Sequence, residues 1–165
     1  MLQESQVQQL DHILEGGPFE ACEETDAIKH LRFLLWDQVK LLDTAVELLD
    51  TIKGNDLHIT CYSSQATGAG GNSKTKRRCW RVPGSTKGTE YTCFINFCPC
   101  RSYIDMSKQQ GQARTVMCKH LVAVRMATLL GWVTQEAVND AQFVAKMCQE
   151  TSESAFASTS RTIQW

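Results

Sequence analysis

Apolar residues recur every three or four positions from Ile28 to Ile52. Ile28, Leu31, Leu35, Val39, Leu42, Val46 and Leu49 form one stripe, and Leu34, Leu41, Ala45, Leu48 and Ile52 widen it. This is the pattern of an amphipathic helix with a broad buried face. Gly54-Asn55 stops it, and a break near Trp36-Asp37, with Asp37 as a cap, divides it in two. The preceding residues, 1–24, are mostly polar, with an apolar trace at Leu10, Ile13 and Leu14 that suits a short helix ending at Gly16-Gly17-Pro18. After the helical region the period changes. Residues 57–62, 78–82 and 90–94 are rich in β-formers and read as three strands of an antiparallel meander. Pro83-Gly84-Ser85 makes one turn, and residues 63–76, small and polar, make a long loop. Helical character returns from Cys118 to Leu130, with Leu121, Val122, Val124 and Leu129 as core positions, and stops at Gly131. Asn139 and Gln142 have capping-box spacing and open a last helix carrying Phe143, Val144, Met147 and Cys148. From Gln149 onward the chain is rich in Ser and Thr and aperiodic, as in a disordered tail.

The expected fold is therefore α+β: N-terminal apolar helices, a short antiparallel β-meander, then a finger running into C-terminal helices. The divisions are a polar segment 1–24, a helical region 25–56, meander and finger 57–131, a C-terminal helix 132–148 and a tail 149–165. The formal charge is −1 over 165 residues, which excludes a whole-surface electrostatic grip on nucleic acid and leaves room for a local patch. No apolar run approaches the ~18–20 residues of a membrane helix, and the first eleven residues lack the apolar core of a secretory signal. The expected compartment is reducing, where eight cysteines point to metal or catalysis before disulfides.

Four residues carry that chemistry. Cys98-Pro99-Cys100 and Cys118-Lys119-His120 are separated by positions 101–117. Three thiolates and one imidazole close the tetrahedral sphere of a structural Zn2+ site, and soft sulfur disfavours calcium and magnesium. On an extended strand Cys98 and Cys100 face the same side. In a helix, positions two apart point in nearly opposite directions, so Cys118 must precede or cap the helix, with His120 in its first turn. Cys93, five residues before Cys98, is a candidate replacement ligand. Cys61, Cys79 and Cys148 read as small core residues, Cys22 as a surface thiol, and His12, His30 and His58 as polar surface residues.

This pattern resembles the SWIM zinc finger: Cys-x-Cys, a variable gap, then Cys-x-His, with Ala123 three residues after the histidine. Tyr91-Thr92-Cys93 and the run from Cys118 to Val124 are similar to the small single-finger SWIM proteins of Shu complexes, over about residues 25–148. The resemblance implies a nuclear, non-enzymatic scaffold in homologous recombination repair. Such a scaffold pairs with a recombinase-paralogue P-loop ATPase and promotes recombinase filaments on single-stranded DNA. A free-standing DNA-binding finger, as in transposase-related SWIM proteins, is the alternative.

Two further features bear on partners. Lys74, Lys76, Arg77, Arg78, Arg81 and Lys87 surround Trp80. They read first as a solvated hairpin and second as a weak or indirect single-stranded DNA contact. Phe33 and Trp36 fall off the main apolar stripe, as residues of a partner surface do. The segment Gly68–Thr75 nearly spells a P-loop, but Ser73 stands where that motif wants Gly, and the residues after it read as a strand instead of a helix. The chain is therefore expected not to bind ATP. With four good ligands and no HExxH motif, it is expected not to be an enzyme.

Overall fold

The computed structural model of the chain describes residues 4–15, 24–36, 38–65, 76–86, 88–110 and 116–148. Helix α1 (Glu4–Glu15) is followed by α2 (Glu24–Leu34) and α3 (Val39–Gly54). Strands β1 (Ile59–Gln65), β2 (Lys76–Pro83) and β3 (Glu90–Cys93) come next, then α4 (Arg101–Gln110) and α5 (Lys119–Leu129), and finally β4 (Val133–Ala137) and α6 (Asp140–Cys148). The architecture is α+β. The apolar stripe is split into α2 and α3. Gln38 occupies the N-cap of α3 without a side-chain cap bond, and Asp37 lies outside the described residues.

The period-two alternation of the strands decides which residues enter the core. Cys61 pairs with Trp80 and Trp80 with Cys93, while Val82 pairs with Tyr91. With Ile59, these residues form the face packed under the helices. Tyr62 and Cys79 point the other way and meet Phe143 of α6 in a second, smaller cluster. Helix α5 lies at the centre, and nine of its eleven residues are buried. It packs against α3, α1 and α2 and against β2, β3 and β4. Leu10, Ile13 and Leu14 of α1 are buried in the same core, so the polar N-terminal segment contributes a packed helix.

Several expectations need correction. The sheet has a fourth strand: its order is β3-β2-β1-β4, with β4 parallel to β1. Residues 133–137 are that strand, so the expected C-terminal helix 132–148 contracts to α6. Four of the five β4 residues are exposed, so no alternation is imprinted on them, and backbone pairing to β1 makes the strand. The stretch between the two ligand pairs contains α4, whose Tyr103 and Met106 rest against the core. Leu57 is exposed instead of opening β1. Helix α3 ends in a Schellman-type turn, Asp56 N–H to Lys53 O and Leu57 N–H to Ile52 O, with Asp56 at φ 55°. The left-handed residue is thus Asp56, one beyond the Gly54-Asn55 stop. Val144, Met147 and Cys148 are exposed, which leaves Phe143 as the core residue of α6. The capping box forms: Asn139 Oδ1 accepts from Gln142 N–H at 2.8 Å, and Gln142 Oε1 from Asn139 N–H at 3.1 Å.

The expected loop 63–76 is shorter at both ends, because residues 63–65 belong to β1 and residue 76 to β2. Its centre, with the whole of the near P-loop, and the expected tail 149–165 lie outside the described residues. No helix directly follows the near P-loop, since β2 begins at Lys76. Among the described residues no helix is long and apolar enough to cross a membrane.

Candidate metal centre

β3 delivers the first part of the site. Alternation places Tyr91 and Cys93 on the core face, and Phe94 and Phe97 then close a tight turn through Phe94 N–H to Phe97 O at 2.8 Å. Cys98 and Cys100 follow this turn rather than lying on a strand, which corrects the expected extended geometry. Cys100 sits at the mouth of α4: its carbonyl accepts from Ile104 N–H at 3.1 Å and its Sγ from Tyr103 N–H at 3.4 Å. Cys118 is the N-cap of α5, with extended backbone at φ −113° and ψ 168°, and His120 lies in the first turn. This is the arrangement that the two-residue spacing demanded.

The four donor atoms of Cys98, Cys100, Cys118 and His120 lie within 4.8 Å of one another, and all four residues are buried. A tetrahedral zinc with bonds of about 2.3 Å to sulfur sets its sulfurs about 3.8 Å apart. Cys98 Sγ is 3.7 Å from His120 Nδ1. The other imidazole nitrogen, Nε2, is buried and has no hydrogen-bond partner among the described residues. Nδ1 is thus the ring nitrogen that faces the thiols, where a metal ion would engage its lone pair.

The electrostatics also call for a cation. Hydrogen bonds from the Cys118 and Cys98 thiols hold Cys100 far below the ordinary thiol range. Donating to the Cys100 thiolate pushes Cys98 and Cys118 well above it. A divalent cation beside the three sulfurs favours their thiolate forms, which are the metal-binding ones. The donor set fits Zn2+, which would be held by Cys98, Cys100, Cys118 and His120.

The imidazole is packed by its neighbours. Tyr91 stacks on it at 4.2 Å between ring centroids, tilted by 35°. Gly84 lies behind Tyr91: a Cβ there would collide with the Thr89 side chain and come within 3.0 Å of Tyr91 Cε2. Sequence reasoning missed the most connected side chain near the site. Arg125 is 0% exposed and crosses from α5 to α1 and to the turn before Cys98. Its Nε donates to Leu10 O at 3.1 Å and its Nη1 to Leu121 O at 3.1 Å. Its Nη2 donates to Asp11 Oδ1 at 2.7 Å, Ile95 O at 2.9 Å and Asn96 Oδ1 at 3.2 Å. Burial lowers its pKa, and the Asp11 hydrogen bond opposes that. The only signal was a lone arginine inside the apolar run of α5.

The basic cluster is largely occupied by the protein itself. Arg77 pairs with Asp140 at 2.6 Å, Arg78 donates to Leu14 O, and Arg81 pairs with Glu90 at 2.5 Å. Trp80 is buried in the core, so it offers no face for base stacking. Lys74, Lys87 and the side chain of Lys76 lie outside the described residues. Cys61 and Cys79 are buried as expected, and burial pushes Cys79 up to about 11. Cys22 lies outside the described residues, and His12, His30 and His58 are exposed. Phe33 and Trp36 are 76% and 68% exposed, beside a groove of about 560 Å³ that α1 lines with Ser5, Gln6 and Gln9.

Fold and site together define an α+β protein with a buried Cys₃His centre of the zinc-finger type, held between a β-turn and two helix N-termini. No family model and no solved structure matches the chain. Among curated proteins it is 33% identical over 101 residues to Zinc finger SWIM domain-containing protein 7 of Danio rerio, covering 59% of this chain and 61% of that protein. The chain therefore spans about three-fifths of the length of this relative. The likeness supports the resemblance to SWIM zinc-finger proteins.

Proposed function

We propose that this chain is a zinc-binding scaffold subunit of a Shu-type complex. It pairs with a recombinase-paralogue P-loop ATPase and supports recombinase filaments on single-stranded DNA during homologous recombination repair in the nucleus. The observation that carries the reading is the buried Cys₃His cluster, in a chain similar to a SWIM zinc-finger protein. Four buried donors would leave a bound zinc no open position, which supports a structural role for the metal and the reading of the chain as a non-enzymatic scaffold. The exposed pair Phe33 and Trp36 is the partner-facing feature, since large exposed aromatics serve as interface anchors. Any ATP in the complex belongs to the partner.

Affinity purification of the tagged chain followed by mass spectrometry tests this. The expected result is co-purification of a P-loop ATPase, lost on chelation and weakened by Phe33→Glu or Trp36→Glu. Absence of such a partner, with tight and steeply salt-dependent DNA binding by the purified chain, would overturn it in favour of a free-standing DNA-binding finger.

A further inference from the structure

A fifth sulfur touches the centre. Cys93 is 0% exposed at the end of β3, and its Sγ lies 3.6 Å from Cys98 Sγ, within hydrogen-bond distance for sulfur. It is not among the four residues whose donor atoms all lie within 4.8 Å of one another. Its position is set by the sheet, because pairing with Trp80 and alternation with Tyr91 turn it toward the site. We propose that Cys93 is a positioning residue of the metal centre, its thiol donating an S–H hydrogen bond to Cys98 Sγ. This rests on zinc being bound by Cys98, Cys100, Cys118 and His120.

Charge supplies the reason. One Zn2+ with three thiolates leaves the buried centre with a net charge of about −1, which needs hydrogen-bond donors around its sulfurs. Cys100 Sγ has the Tyr103 N–H at 3.4 Å. Cys118 sits at the N-terminus of an eleven-residue helix, where the dipole favours negative charge. Among the described residues Cys98 has neither, and the Cys93 thiol is the group 3.6 Å from its sulfur. A metal-bound Cys98 is a thiolate and can only accept, so the shared proton belongs to Cys93. The turn through Phe94 and Phe97 thereby places an outer thiol and a ligand thiol against each other, one on either side.

The test compares wild type, Cys93→Ser and Cys93→Val, each loaded with Co2+ for spectroscopy and with Zn2+ for competition against a chromogenic chelator. Serine keeps a donor; valine fills a similar volume without one. Zinc affinity should fall about tenfold or more in Cys93→Val, the usual size of an outer-sphere loss, and recover in Cys93→Ser. The thiolate-to-cobalt charge-transfer intensity should be equal in all three proteins, because Cys93 contributes no ligand. Valine and wild type with equal zinc affinity, or serine as weak as valine, would overturn the donor role. A charge-transfer intensity lower by about a quarter in both variants would instead make Cys93 a fourth thiolate ligand in place of His120, and would overturn the proposal. Wild-type protein that takes up neither Co2+ nor Zn2+ would refute the underlying zinc reading, separately from either variant.

Discussion

Replacing Arg125 by methionine should loosen α1 and the metal-site turn together. The guanidinium is fully buried and makes five hydrogen bonds, three of them through Nη2. Leu121 O belongs to the ladder of α5, and Leu10 O lies in α1, so these carbonyls keep helical partners. Asp11 Oδ1, Ile95 O and Asn96 Oδ1 lose the donor that ties them to α5, and exposed Asn96 turns to water, which leaves two acceptors to count. Each acceptor left unsatisfied costs roughly 1–3 kcal/mol, which sums to about 2–6 kcal/mol. Two effects reduce this. Asp11 is 21% exposed and recovers some hydration, and burying methionine avoids the desolvation of a cation. The expected net loss is about 3 kcal/mol, a large fraction of the ~5–15 kcal/mol of a whole domain. Arg125→Lys keeps the charge without the fork and should recover less than half of it. The assay is urea unfolding of metal-loaded protein for Arg125→Met, Asp11→Asn and the double variant, with zinc affinity measured alongside. The two substitutions should couple by more than about 1 kcal/mol, because they share one contact. Arg125→Met should also weaken zinc binding, since Ile95 and Asn96 lead into Cys98. An Arg125→Met variant with unchanged midpoint and zinc affinity would show that hydrophobic packing alone docks α1, and the reasoning would fail.

Removing the metal should be more drastic: Cys118→Ser protein should contain no zinc by elemental analysis. Circular dichroism and proteolysis should show the region from β3 through α5 lost, since zinc binding supplies ~10–16 kcal/mol in small fingers. Asp56→Gly should stabilise the chain by about 0.5–1 kcal/mol. It removes the left-handed penalty at φ 55° and an acid from the negative end of α3, offset by glycine's unfolded-state entropy; a lower thermal midpoint would refute this. Asp140 is held below the ordinary carboxylate range by the Ser64 hydroxyl and then by Arg77. Its contribution is thus fully present above that range and is lost as pH falls through its lowered native value. Asp140→Asn should flatten the acid limb of a stability–pH curve, and identical limbs would count against the contact.

The sequence alone determined whatever leaves a local period or a local chemistry. The stripe from Ile28 to Ile52, the alternating cores of β1 to β3 and the Asn139–Gln142 box are read directly, because burial on one face of an element writes its period into the residues. The two ligand pairs are legible for the same reason: a cation needs soft donors at short spacing, and two-residue spacing forces Cys118 to cap α5. Tertiary structure decided what has no period. β4 exists because the exposed edge of β1 offers unpaired backbone groups, which five mostly exposed side chains cannot announce. α4 is mostly polar and solvent-facing, held by the capping carbonyl and thiol of Cys100 and by Tyr103 and Met106 on the core. Arg125 is only a lone cation in an apolar run until α1, some 115 residues away in the chain, brings Leu10 and Asp11 to it. Cys93 reads as a candidate replacement ligand until sheet pairing sets its sulfur against Cys98. For β4 and Arg125 the deciding contact joins residues far apart in sequence, and for α4 and Cys93 the near neighbours meet only because the core and the sheet fix the backbone between them; a linear pattern records neither.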